Sequence, residues 1–224
     1  IKLATQATHA IRTASPSAVI LGPALAGPVP IDVVRGMFSP RTAFLRDVLH
    51  APITHEWNGI TIHPYRDKNE APETVMAQIS NVRDMMKQEG FHSATTPLII
   101  SEWGYSSAAE NLGEDTQAAY AARSLLISSI MNIPFSIWYD WQDDGDDHNN
   151  REHRFGLLRH RTILENVDKE KYSKPSYHAI STLAHALRGY IFDKMILDND
   201  GVMLARFINC LLYTSDAADD LLCV

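Results

Sequence analysis

The 224-residue chain is poor in cysteine, with only Cys210 and Cys223, both among its last fifteen residues. Residues 1–209 hold none, which excludes a disulfide scaffold or a thiolate metal site over that stretch and leaves export and cytoplasm equally open. Positive charge is also short. Twenty Lys and Arg stand against 27 Asp and Glu, a formal net charge of -7, and no basic cluster forms a phosphate-binding stripe. No nucleic-acid partner is expected. No apolar run approaches the roughly 18 residues of a membrane span, so no membrane partner is expected either. Residues 1–14 hold no charged start followed by an apolar block, so they do not read as a signal peptide. No G-x-G-x-x-G follows an apolar run, which weakens a dinucleotide-binding reading. H-x-H and H-E-x-x-H are missing too, and no cofactor or metal is implied.

What is present is ordinary globular material, 45% hydrophobic and 21% charged, enough for one domain with a real core. Thr5 to Ala14 has helical spacing at Ala7, Ala10, Ile11 and Ala14 and stops before Ser15-Pro16. AVILGPAL reads as a buried strand, followed by a Pro/Gly-rich loop and a short amphipathic helix over RTAFLRDVLH. Gly59 to Ile62 is a second strand running into His63-Pro64. APETVMAQISNVRDMMKQEG is a helix with Pro72 in its first turn, Glu73 at the positive dipole end, Val75, Ile79, Val82 and Met86 on one face, and Gly90 as its stop. PLIISEW is a third strand, EDTQAAYAARSLLISSIMNI a long, largely apolar and well-buried helix, and PFSIWYDW a fourth strand. An acidic loop from Asp143 to Asn150 precedes the closing helix, KPSYHAISTLAHALRG. The segment GYIFDKMILDNDGVMLARF, with Asn199-Asp200-Gly201 at its middle, carries a β-hairpin signal.

Apolar strands alternating with helices argue for an α/β fold with a parallel sheet covered by helices. An open doubly wound sheet and a (β/α)8 TIM barrel both fit. A barrel needs about 250 residues, and four strands make about half of one. The chain starts inside a helix without an initiator Met. The expected fold is therefore a partial (β/α)8 barrel, about strands 5–8, over residues 1–188, with its first half upstream. The start of a C-terminal β extension is expected over 189–209.

In barrels, chemistry sits at the C-terminal ends of the strands. Here those ends read Gly22-Pro23-Ala24, then His63-Pro64-Tyr65-Arg66, then Glu102-Trp103-Gly104-Tyr105, then Trp138 to Trp141. Three of the four carry ionisable or aromatic groups. Indole and phenol faces suit the C–H faces of sugar rings, and carboxylates and imidazole suit sugar hydroxyls. Glycoside hydrolysis needs two carboxyl groups flanking the scissile bond, and Glu102 is the candidate for one, the nucleophile, with Tyr65 and His63 to hold it. Trp103, Trp138, Trp141 and Asp140 are candidate substrate contacts. Trp138 and Trp141 stand three apart, so in a strand they face opposite sides and at least one is expected to pack. The acidic loop with Asp143, Asp144, Asp146 and Asp147 does not satisfy a calcium-loop pattern and reads as a solvated loop over the cleft.

The combination HPY, SEWGYSS and SIWYDWQDDG resembles clan A glycoside hydrolases, most of all families 39 and 5. The resemblance covers about residues 5–209. It implies that Glu102, in an [ST]-E-x-G context, is the nucleophile ending strand seven. It also implies that His63 and Tyr65 are the H-x-Y pair ending strand six, and that Trp138 or Trp141 stacks at the cleaved sugar. KPSYHAI is similar to the opening of the family's last helix. The family's acid/base Glu lies in an Asn-Glu-Pro turn after strand four, and no N-E-P occurs here. The implied function is half of a retaining β-glycosidase for an oligo- or polysaccharide, inactive by itself; export to the exterior or periplasm suits a polysaccharide enzyme, and the location itself is unassigned. Two other readings stand beside it: a non-catalytic carbohydrate-binding barrel, and a metal-dependent barrel hydrolase using His63, Glu102 and Asp140.

Cys210 to Asp220 resemble the translation of a transposase-type sequencing adapter, which implies a non-native tail over 210–224. That tail holds Asp216, Asp219 and Asp220 and no Lys or Arg, so without it the net charge falls from -7 to -4.

Overall fold

A computed structural model describes residues 1–27, 40–109, 112–160, 172–199 and 201–209. The Pro/Gly-rich loop beyond Gly27, Asp200 of the hairpin turn and the adapter-like tail lie outside the described residues.

Helix α1 spans Lys2–Ala14 and starts three residues before the apolar spacing implies, with the Thr5 amide bonded to the Ile1 carbonyl. It ends where Ser15, ahead of Pro16, turns extended. Strand β1 (Leu21–Ala26) follows, then α2 (Pro40–His50), β2 (Gly59–His63) and α3 (Val75–Gln88), which is entered through a 3-10 turn at Pro72–Thr74. Helix α3 buries Val75, Ile79, Val82 and Met86, the face its spacing predicts. After β3 (Leu98–Trp103) comes α4 (Gly113–Ile130). Its buried stripe includes Gln117, Ala118, Ala121, Ser124, Ile127 and Ser128, a small and polar face rather than the broad apolar one expected. Strand β4 is only Ser136–Trp138. It is shorter than its apolar run because, after the Tyr139 amide donates once more to Trp103 O of β3, the chain pairs with a loop instead. Asp140 N donates to Phe155 O, and Leu157 and Leu158 donate back to Asp140 O and Trp141 O. Helix α5 (Pro175–Ala186) leads into the antiparallel hairpin of β5 (Tyr190–Asn199) and β6 (Val202–Asn209).

The sheet order is β1-β2-β3-β4, every pairing parallel. The fold is thus mixed α/β, a four-stranded parallel sheet followed by a hairpin. Ile60, Ile62, Leu98 and Ile100 of the central strands pack on Leu45 and Leu49 of α2 and on Val75, Ile79 and Val82 of α3. Each such side chain contributes about 1.5–3 kcal/mol on burial. This core fixes the strands, and their C-terminal ends therefore emerge side by side.

Candidate active site

The ends of β2 and β3 carry the site. Strand β3 is apolar and buried through Leu98, Ile99 and Ile100, then becomes half-exposed at Ser101 and Glu102. Its pairing with β4 runs from Ile100 opposite Ser136 to Trp103 opposite Trp138. Strand β3 thus spends three residue steps where β4 spends two. One extra residue there is a β-bulge, which re-aims side chains at a strand end. Adjacent residues of a regular strand point to opposite faces. Here Ser101 and Glu102 both reach one imidazole: Ser101 Oγ lies 2.9 Å from His63 Nε2, and Glu102 Oε2 lies 3.8 Å from His63 Nδ1.

Tyr65 completes the cluster. Its hydroxyl donates to Glu102 Oε1 at 2.6 Å. Burial first, then the hydrogen bond and charge of Glu102, push the phenol well above the ordinary tyrosine range, so it stays a donor. The Tyr65 ring lies edge-on to Tyr139 and Phe155, with centroids 6.4 and 5.9 Å away. The Tyr139 phenol is pushed up as well, by burial and by Asp144, Asp140, Glu152 and Glu102 around it. The Glu102 side chain keeps 37% exposure, so it is pinned but reachable.

The other candidate residues are placed differently. Trp103 is 2% exposed and belongs to the hydrophobic core. Trp138 is half-buried, its indole N–H donating to Phe155 O at 3.3 Å. Trp141 is exposed, its ring edge-on to Tyr177 of α5. Asp140 Oδ1 accepts from the Gln142 amide at 2.6 Å, and burial pushes its carboxyl up. The structure therefore brings Glu102, His63 and Tyr65 together. To them it adds Ser101 and Tyr139, which were not candidates in the sequence. Tyr139 had one available signal, its place between two tryptophans at a strand end.

The rim is braced from below. Lys174, ahead of α5, is fully buried, and its Nζ donates to Asp143 Oδ1 (2.5 Å), Ser107 Oγ (3.1 Å) and Arg154 O (3.2 Å). Arg154 Nη1 meets Asp143 Oδ2 at 3.0 Å. Burial pushes the Asp143 carboxyl up and the Lys174 ammonium down, and the contact between them opposes both shifts. Buried Gln117 of α4 donates to the carbonyls of Tyr105, Arg154 and Phe155 and accepts from Ser176. Gly104 is required by a close approach, since a Cβ there would stand 2.0 Å from the Tyr139 carbonyl oxygen.

Among the described residues no three His, Cys, Asp or Glu side chains are grouped to hold a metal ion. No helix among them is long and apolar enough to cross a membrane. A cavity of about 760 Å³ lies elsewhere, between α4 and the hairpin, and Glu102 does not line it.

No protein-family model matches the chain, and no curated protein does. Solved structures do. A family 39 glycoside hydrolase from the gut symbiont Bacteroides cellulosilyticus WH2 shares 30% identity at a TM-score of 0.59, over 74% of this chain and 34% of that one. A glucosidase from Croceicoccus marinus shares 19% identity at a TM-score of 0.52, over 70% of this chain and 31% of that one. A hyperthermophilic β-glucosidase mutant shares 16% identity at a TM-score of 0.50, over 80% of this chain and 46% of that one. The chain spans about a third of the first two and less than half of the third. Its fold is that of a glycoside hydrolase of the TIM-barrel kind, with four parallel strands among the described residues.

Proposed function

We propose that the chain is the C-terminal half of the barrel of a retaining β-glycosidase of clan A, and that Glu102 is its nucleophile. The observation that carries this reading is the 2.6 Å hydrogen bond from Tyr65 to Glu102 at the C-terminal ends of parallel strands. A nucleophilic carboxylate needs one fixed direction and an open approach. Tyr65 fixes Oε1, while Oε2 faces His63 at the longer distance of 3.8 Å. In double displacement, Glu102 attacks the anomeric carbon while a second carboxyl group protonates the leaving oxygen. Water then cleaves the glycosyl-enzyme, with that second group now acting as base. A retaining pair stands about 5–5.5 Å apart. We assign the second carboxyl to the earlier strands of the whole enzyme, outside this chain.

In this reading the substrate is an oligo- or polysaccharide. Tyr139 offers a ring face beside Tyr65, His63 and Asp140 address hydroxyls, and exposed Trp141 is a platform farther out. Trp103 packs the core under the site. The 30% identity to a family 39 glycoside hydrolase supports the family-level assignment.

The test uses the whole enzyme that carries this segment, assayed on a panel of aryl β-glycosides. Glu102→Gln is expected to lower kcat by about 10⁴-fold or more. A slow fluoro-sugar is expected to leave a covalent glycosyl group on the Glu102 peptide, read by mass spectrometry. Undiminished turnover by the variant refutes the assignment. Sugar binding with neither turnover nor label favours a non-catalytic carbohydrate-binding barrel instead.

A further inference from the structure

The nucleophile reading leaves one polar contact of the rim without a role, the 2.9 Å contact between Ser101 Oγ and His63 Nε2. We propose that Ser101 is a positioning residue: its hydroxyl donates to His63 Nε2 and holds the imidazole with its proton on Nδ1, facing the Glu102 carboxylate. The functional meaning rests on the nucleophile reading; the tautomer rests on geometry alone.

A neutral imidazole has one donor and one acceptor nitrogen, and a hydroxyl can satisfy either. The contact with Ser101 therefore leaves the proton undecided, and the opposite side of the ring decides it. Nδ1 lies 3.8 Å from Glu102 Oε2, too far for a hydrogen bond but close enough for a strong Coulomb term. A bare lone pair on Nδ1 would confront an anion, whereas an N–H there is attracted to it. His63 is only 18% exposed, so water screens little of this. The proton belongs on Nδ1, Nε2 is the acceptor, and Ser101 is the donor. The hydrogen on one nitrogen is thus set by what the other one meets.

The bulge in β3 makes the arrangement possible. In a regular strand Ser101 and Glu102 would point to opposite faces and could not share a ring. The two carboxylate oxygens then differ in kind. Oε1 is locked by the Tyr65 hydroxyl, while Oε2 is addressed by an oriented N–H that does not grip it. Oε2 is the oxygen left free to move toward an anomeric carbon.

The first test needs no turnover. Long-range ¹H–¹⁵N spectra of the whole enzyme that carries this segment, recorded well above the ordinary imidazole pKa of about 6.5, report which His63 nitrogen is protonated. The expected pattern is a protonated Nδ1 and a bare Nε2. Ser101→Ala keeps the Glu102 charge and with it the proton on Nδ1, but is expected to move the Nε2 shift as its hydrogen bond is lost, and Ser101→Thr, which keeps the hydroxyl, to restore it. A wild-type proton on Nε2, or identical spectra for wild type and Ser101→Ala, overturns the proposal. In the whole enzyme, Ser101→Ala should lower kcat/KM about tenfold and Ser101→Thr should recover most of it. An unchanged kcat/KM with the expected spectra overturns the functional half alone. If the nucleophile reading is wrong, Glu102→Gln keeps its activity while the wild-type enzyme still shows the proton on Nδ1.

Discussion

Tyr65 and Glu102 share one short hydrogen bond, and removing its donor isolates its worth. A hydrogen bond to a charged group contributes about 1.5–3 kcal/mol. In the whole enzyme, Tyr65→Phe is therefore expected to slow the chemical step between about tenfold and a hundredfold, with urea unfolding changed little. A variant with wild-type kcat would show that the phenol does not orient the carboxylate. Glu102, His63 and Tyr65 were legible in the sequence because each is a chemistry-bearing residue within three positions of the apolar end of a strand, and position along a strand is a one-dimensional property. Ser101 was not legible. A serine before a glutamate carries no mark of sharing its neighbour's direction until the bulge is known. The same bulge sends Trp103 into the core, whereas a rim reading of the motif offers it to substrate.

At the scale of elements, the rim is held by close approaches between segments distant in sequence. Gly104 follows β3 directly, and the Tyr139 carbonyl occupies the space of its missing side chain. Gly104→Ala must push the chain after β4 away and is expected to cost at least the usual 1–3 kcal/mol, roughly, of an overpacked site, read as a lower urea midpoint. A midpoint equal to wild type would mean that the two segments separate freely. Lys174 plays the corresponding part for α5. Replacing it by Met leaves Asp143 buried with Arg154 as its remaining cation, and breaking such a pair costs about 3–5 kcal/mol. The expectation is a loss near the lower figure, partly recovered in the double variant Asp143→Asn/Lys174→Met, measured by chemical denaturation. The helix after Lys174 was readable from its proline and its spacing. The burial of Lys174 was not, because its partner stands 31 residues away and a lone lysine reads as solvated. The shortness of β4 escaped for a related reason: an apolar run does not say which neighbour its last residues will pair with.

For the whole molecule, the alternation of apolar strands with helices was enough to give the parallel order, since buried strands need helices on their faces. Which helix meets which turn was not given, and one such junction sets a pH dependence. Glu73, in the turn before α3, accepts from Arg123 Nε of α4 at 2.7 Å. Burial pushes the Glu73 carboxyl up, but the hydrogen bonds and charge of Arg123 outweigh it and hold the carboxyl below its usual range. A carboxyl depressed in the folded state adds stability above its unfolded value, near 4.5, and that stability is lost as pH falls through the lower folded value. Melting temperatures measured as pH falls below about 4.5 should drop more steeply for wild type than for Glu73→Gln. Parallel curves would remove this junction from the acid limb. The bulge in β3 has a consequence of another kind. Deleting Ser101 would bring the strand back into register with β4 and favour an uninterrupted ladder, while taking from His63 Nε2 its hydroxyl partner and drawing Glu102 back along the strand into the place Ser101 held. Selection for robustness alone would erode this site by shortening it, so the extra residue is a place where heat tolerance and chemistry pull the same gene in opposite directions.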